Sequence, residues 1–179
     1  MSFIFAVSLS ASFLIPAYFE RSYIQTDQLT KGYFDFRGHF VAWPQFFSSF
    51  WGYGASLWGS KDDMSFQVGL VHWVLLGISL MIAVLKTKFR WLAIFLALEF
   101  LFSLFMQHNK SAPIWEAIKV LEFTQFPWRF LGISIFFISI LGGLSVYFLE
   151  KKLKYTVFIL SIGIILFNLK YFRPESFYL

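Results

Sequence analysis

The chain has no cysteine and carries few charges. Without cysteine there is no disulfide, no thiolate nucleophile and no Cys-ligated zinc. Charged residues make up 14% of the 179 positions, well below the usual share of about 25%. That is too little to cover the surface of a soluble domain. The sequence also lacks a phosphate-binding glycine loop, a dinucleotide fingerprint, a zinc-ligand spacing and a Ser–His–Asp constellation. No clear internal repeat supports an inverted-repeat transporter.

What remains is apolar. Hydrophobic residues reach 58%, aromatics 23%, and phenylalanine alone contributes 26 residues, with a mean hydropathy of +0.66. Five apolar stretches stand out, at 3–19, 68–85, 91–106, 130–149 and 155–169. A helix crossing about 30 Å of hydrocarbon needs about 20 residues, with a lower limit near 17. The second and fourth stretches reach that length easily; the others draw on flanking aromatics. Lipid offers backbone groups no hydrogen-bond partner, so these stretches are expected to be helices. The expected fold class is all-α: a single polytopic membrane helix bundle over 1–179, with about five spans.

Charge orients the bundle. Lys86, Lys88 and Arg90 form one basic hairpin, and Lys151, Lys152 and Lys154 another, each wedged between apolar runs. Short basic loops face the cytoplasm. The loops 20–67 and 107–129 then lie outside, the N-terminus is cytoplasmic and the C-terminus extracytoplasmic. The same hairpins account for the pI near 9.5, so the expected partner is a bilayer and not a nucleic acid. The first run begins at once and the chain stops ten residues after the last. Both ends read as those of a piece of a larger membrane protein.

The first outer loop, 20–67, carries 13 aromatics. Disordered segments are poor in aromatics, so a packed cap on the membrane is expected. Trp43, Trp51, Tyr53 and Trp58 would anchor at headgroup depth or stack on sugar rings. Between Phe34 and Phe40 aromatic and polar residues alternate. As an extended strand this segment puts Asp35, Arg37 and His39 on one face. Asp35 and His39 are candidates for acid–base work or a metal; an Asp–Arg pair on a solvated face is the alternative. Asp62 and Asp63 precede the second span, where they would cap its N-terminus or hold a divalent cation. His72, farther on, suits a polar interior contact. Glu99 falls midway along the third span, where an acidic side chain costs roughly 2.5–3.5 kcal/mol. It should face other helices or a wet cavity.

In the second outer loop, Ser111, Ala112 and Pro113 read as a helix start. Ile114, Ala117, Ile118 and Leu121 form an apolar stripe opposite Glu116, Lys119 and Glu122, the pattern of an interfacial amphipathic helix. Pro127 then breaks the chain, Trp128 anchors at the headgroups, and Arg129 stands at the mouth of the fourth span. A guanidinium beside free helix N–H groups suits a phosphate, or it snorkels to lipid headgroups.

Several segments carry a family resemblance: SASFLIPA from Ser10 to Ala17 followed by Glu20, GYFDFRGHFV from Gly32 to Val41, WGYG from Trp51 to Gly54, SFQVGLVH from Ser65 to His72, and QFPWRFL from Gln125 to Leu131. Together they resemble the 6-pyruvoyl-tetrahydropterin synthase-related bacterial membrane proteins, which look like a branch of the GT-C glycosyltransferase superfamily. The resemblance implies a multi-span protein of the bacterial plasma membrane that takes sugar from a polyprenyl-phosphate carrier at the outer face. It also implies a catalytic acid after the first helix of a full-length relative, so that acid is expected outside this chain. The candidates for lipid-phosphate or substrate binding are Arg129, Arg37, His39, Asp35, Gln125 and Trp128. No catalytic residue or metal ligand is assigned, no cofactor is identified, and a divalent cation stays open. The alternatives are a non-catalytic membrane scaffold or assembly module, and a transporter fragment built on Glu99.

Overall fold

The computed structural model describes residues 2–20, 23, 25–48, 52, 54–59, 61–85, 87–147 and 151–172. Trp51, Tyr53 and Lys86 lie outside them, as do residues 148–149 of the fourth expected span and the side chains of Lys151 and Lys152.

Among the described residues the protein is all-helical, with no β-strand. The five apolar stretches all form helices: α1 (Ser2–Phe19), α3 (Leu70–Leu85), α4 (Arg90–Gln107), α6 (Phe130–Tyr147) and α7 (Lys151–Asn168). Two short helices, α2 (Trp43–Phe47) and α5 (Ala112–Ala117), lie in the connecting segments, among several 3₁₀ turns. Two segments among the described residues, Arg90–Gln107 and Pro127–Tyr147, are long and apolar enough to cross a membrane. Ile4–Phe19, Leu70–Met81 and Leu153–Leu166 are shorter apolar helices.

The second stretch is therefore shorter than expected. Val68 is buried, and its N–H donates to the Phe46 carbonyl at 3.1 Å. Gly69 follows with φ +85°, a conformation glycine adopts without penalty. The chain turns there, and α3 starts only at Leu70.

The core joins α3, α4 and α6. Ala93, Leu96, Ala97, Phe100 and Leu104 of α4 pack on Ile138 and Leu141 of α6. Leu75 of α3 sits over Gly142 of α6. Where lipid tails are as apolar as leucine, small residues and interhelical hydrogen bonds hold helices together. Both are present. Ser103 and Ser134 hydroxyls meet at 2.8 Å, and Gln107 Nε2 donates to Ser134 Oγ at 3.1 Å. Ser145 Oγ donates to Ser79 Oγ at 2.7 Å. By contrast, the described side chains of α1 are exposed on every face, apart from a half-buried Ala11.

The segments before α3 and after α4 fold onto one end of this bundle. Val41, Phe46, Phe66 and Val68 continue the core from the first segment. A second cluster of Phe36, Met106 and Trp115 lies beside it. Phe36 and Trp115 stack at 5.4 Å, and the Trp115 indole donates to the Met106 carbonyl at 3.0 Å.

Two expected local structures are corrected. The Phe34–Phe40 strand is instead a pair of 3₁₀ turns, Gly32–Phe34 and Phe36–His39. Asp35 accepts the Arg37 N–H at 3.0 Å, and this local side-chain bond offers the backbone an alternative to an extended ladder. The amphipathic helix is also broken. α5 ends at Ala117, Ile118 leaves helical geometry at φ −107° and ψ 85°, and a 3₁₀ turn covers Lys119–Thr124. The residue that anchors this segment is Trp115, which is fully buried and was not part of the expected stripe.

Candidate functional site: a surface groove

Arg37 stands on the Phe36–His39 turn with its guanidinium between two carboxylates. Nη1 lies 3.3 Å from Asp35 Oδ1, and Nε lies 3.3 Å from Glu116 Oε1 on α5. Burial works to lower its pKa, but Asp35 and Glu116 outweigh that and hold it above its ordinary value. The next residue, Gly38, is where Trp58 crosses. A Cβ at Gly38 would collide with the indole. The crossing is fastened by the Gly59 N–H, which donates to the Gly38 carbonyl at 3.3 Å. Gly59 itself has φ +100°. The indole stays 61% exposed, so its outer face is available.

His108 closes the other side. It follows α4 directly and stacks on Trp43 at 4.8 Å. Its Nδ1 accepts the Lys110 N–H at 3.2 Å, which leaves the proton on Nε2. Burial, and then the Lys110 charge, hold its pKa below the usual 6.5. Arg37, Gly38, Trp58, Gly59, His108 and Asn109 line a groove of about 320 Å³. It combines an aromatic face, guanidinium and amide donors, an imidazole and nearby carboxylate acceptors. That set matches the alternating hydroxyls and apolar face of a sugar ring. It does not suit a bare phosphate, since both neighbours of the Arg37 charge are already anionic.

His39 is not among the residues that line the groove. It is buried, with Nδ1 2.8 Å from Ser56 Oγ and Nε2 2.6 Å from the Tyr33 carbonyl. Ser56 Oγ also lies 3.3 Å from Asp62 Oδ2. Asp62 accepts the N–H groups of Leu57 and Met64 at 3.1 and 3.0 Å. It therefore organises its own segment and does not cap α3, which begins eight residues later. Among the described residues no three His, Asp or Glu side chains come together.

The remaining candidates gather around Phe126. The ring lies 4.8 Å from His39, 5.8 Å from Tyr33 and 5.3 Å from Trp128. Gln125 has φ +65°, and its amide donates to the Leu29 carbonyl at 2.9 Å. The Trp128 indole N–H is buried with no partner among the described residues. Arg129 donates to the Thr124 carbonyl at 2.9 Å and lies over the Phe126 ring at 5.1 Å. It is exposed and has no carboxylate partner among the described residues. The structure thus brings Arg37 to the groove with Asp35 paired to it, and His39, Gln125, Trp128 and Arg129 to the aromatic hub.

Ser56, His108 and Asn109 were not singled out from the sequence. His108 carries one available signal: it is one of only three histidines and directly follows an apolar run. Ser56 carries none, because its role depends on partners 17 and 6 residues away.

No family model, curated protein or solved structure matches the chain significantly.

Proposed function

We propose that the chain is the membrane-embedded part of a GT-C-like glycosyltransferase of the bacterial plasma membrane, working at the outer face on a polyprenyl-phosphate-linked sugar. In this reading all five apolar helices cross the bilayer, the N-terminus is cytoplasmic and the C-terminus extracytoplasmic. α1, α3 and α7 are completed by flanking aromatics, and the remainder of a larger protein supplies the catalytic acid. The observation that carries the reading is the exposed Trp58 indole laid against Gly38 beside Arg37, His108 and Asn109. An aromatic platform with a mixed rim of donors and acceptors is how proteins hold sugars. Arg129, an exposed cation one residue ahead of a long apolar helix, is suited to the carrier phosphate, and a cation there offsets the charge that grows on a phosphate leaving group. The resemblance of the QFPWRFL segment points the same way.

The test is direct binding of a short-chain polyprenyl-phosphate and of its sugar-linked form to the protein in nanodiscs. Arg129→Ala should weaken both ligands, and Trp58→Ala only the sugar-linked one. Unchanged affinity in both variants would remove the proposal.

A second reading is a non-catalytic sugar-binding module. The carboxylates nearest the groove favour it, because Asp35 and Glu116 are committed to Arg37. Sugar binding without transfer, even alongside the full-length protein, would select it.

A further inference from the structure

Glu99 lies midway along α4, half-buried, with no hydrogen-bond or ion-pair partner among the described residues. The core of the bundle takes the other side of the helix, through Ala93, Leu96, Ala97, Phe100 and Leu104. Glu99 belongs to an outward row. Leu92, Phe95, Glu99 and Phe102 follow one another at spacings of three, four and three, the a/d rhythm of a helix–helix seam. Leu92, Phe95 and Phe102 are 44%, 52% and 51% exposed. Within a membrane span such a row is stable against lipid except at Glu99, whose carboxyl has nothing to bond there.

We propose that this row is the contact by which two copies of the chain pair in the membrane, with Glu99 facing Glu99 across a two-fold axis. A carboxylic acid carries an O–H donor and acceptor oxygens together. Two of them satisfy each other, and in a parallel pair whose two-fold axis runs along the seam each residue of the row faces its own copy. The row is therefore complementary to itself, whereas a purely apolar partner helix would leave the carboxyl unbonded. The three large apolar side chains flank the pair and exclude lipid from it. The inference rests on α4 lying in a bilayer, and not on the sugar-binding reading.

The chain has no native cysteine, so Lys110→Cys gives a single dye site on an exposed turn beyond α4. Flotation with vesicles first establishes membrane insertion. Energy transfer between donor- and acceptor-labelled copies is then followed as lipid is added. Transfer above the random-encounter level should persist on dilution. Glu99→Gln, whose amide also both donates and accepts, should keep it. Glu99→Leu should weaken association roughly tenfold, the scale of one good interhelical hydrogen bond. Leu101→Ala, an exposed position on another face of α4, should leave it unchanged. Inserted protein showing only random transfer overturns the pairing. So does Glu99→Leu that pairs as well as wild type, or Glu99→Gln that falls to its level.

Discussion

The His39 imidazole and the Ser56 hydroxyl meet at 2.8 Å within the segment that precedes α3, both of them buried. Ser56 has one proton to give and two acceptors within reach, His39 Nδ1 and Asp62 Oδ2. Ser56→Ala removes the side chain that links the two. A buried polar atom left without its partner costs about 1–3 kcal/mol. We expect a loss of that size in chemical unfolding of the detergent-solubilised protein. Asp62→Asn should cost at least as much, because the Leu57 and Met64 N–H groups bond different carboxylate oxygens and the amide keeps only one of them as an acceptor. Equal stability of Ser56→Ala and wild type would show that the link carries no weight.

Gly38→Ala should act on the groove through Trp58. The new methyl and the indole claim the same space, so the ring must leave the backbone. The chain contains seven tryptophans, so the comparison needs a Trp58→Phe background to isolate this one. The Trp58 contribution to fluorescence should shift toward the red, and sugar affinity should fall as far as in Trp58→Ala. A spectrum that does not move would mean that the contact yields cheaply.

His108 gives the groove an acid limit. Its folded pKa is held below the ordinary 6.5, by burial first and by Lys110 second. A depressed value means that the unfolded chain binds the proton more readily, so stability is full above 6.5 and declines as pH falls from there through the lowered folded value. Melting temperatures measured from pH 7.5 downward should show this decline. His108→Gln should flatten it, and Lys110→Gln should make it smaller by raising the lower end of the window toward 6.5. A decline unchanged in His108→Gln would assign it to other groups.

The serine pair between α4 and α6 should be measurable separately. Ser134→Ala removes the partner of Ser103 and of the Gln107 amide at once. Interhelical hydrogen bonds of this kind average about 0.6 kcal/mol and reach about 1.7. Gln107 is fully buried, and its Oε1 already lacks a partner among the described residues, so the upper end of that range is expected. Thermal unfolding in a mild detergent would check it, with Ser139→Ala on the exposed face of α6 as the silent control.

The helices were legible because long apolar runs have one stable form away from water. Their ends were less so. The start of α3 is set by Gly69 and by the hold of Phe46 on Val68, a contact across 22 residues that no local pattern announces. The strand expected at Phe34–Phe40 failed on a short-range competitor, the Asp35 side chain on the Arg37 N–H. The site was half visible. Arg37 and Trp58 stood out by residue type, but the groove exists because Gly38 admits the indole and because the end of α4 delivers His108 and Asn109. Arg129 was legible as an exposed cation at the head of a span, and its grip on the Thr124 carbonyl was not.

Phe126 touches Tyr33, Phe34 and His39 from the first segment while stacking on Trp128 in its own. The two connecting stretches are therefore keyed to each other at this ring, as they are at the Arg37–Glu116 pair and the Phe36–Trp115 stack. A chimera that transplants either stretch alone brings a plug without its socket, so only exchange of both together should yield a hybrid that assembles.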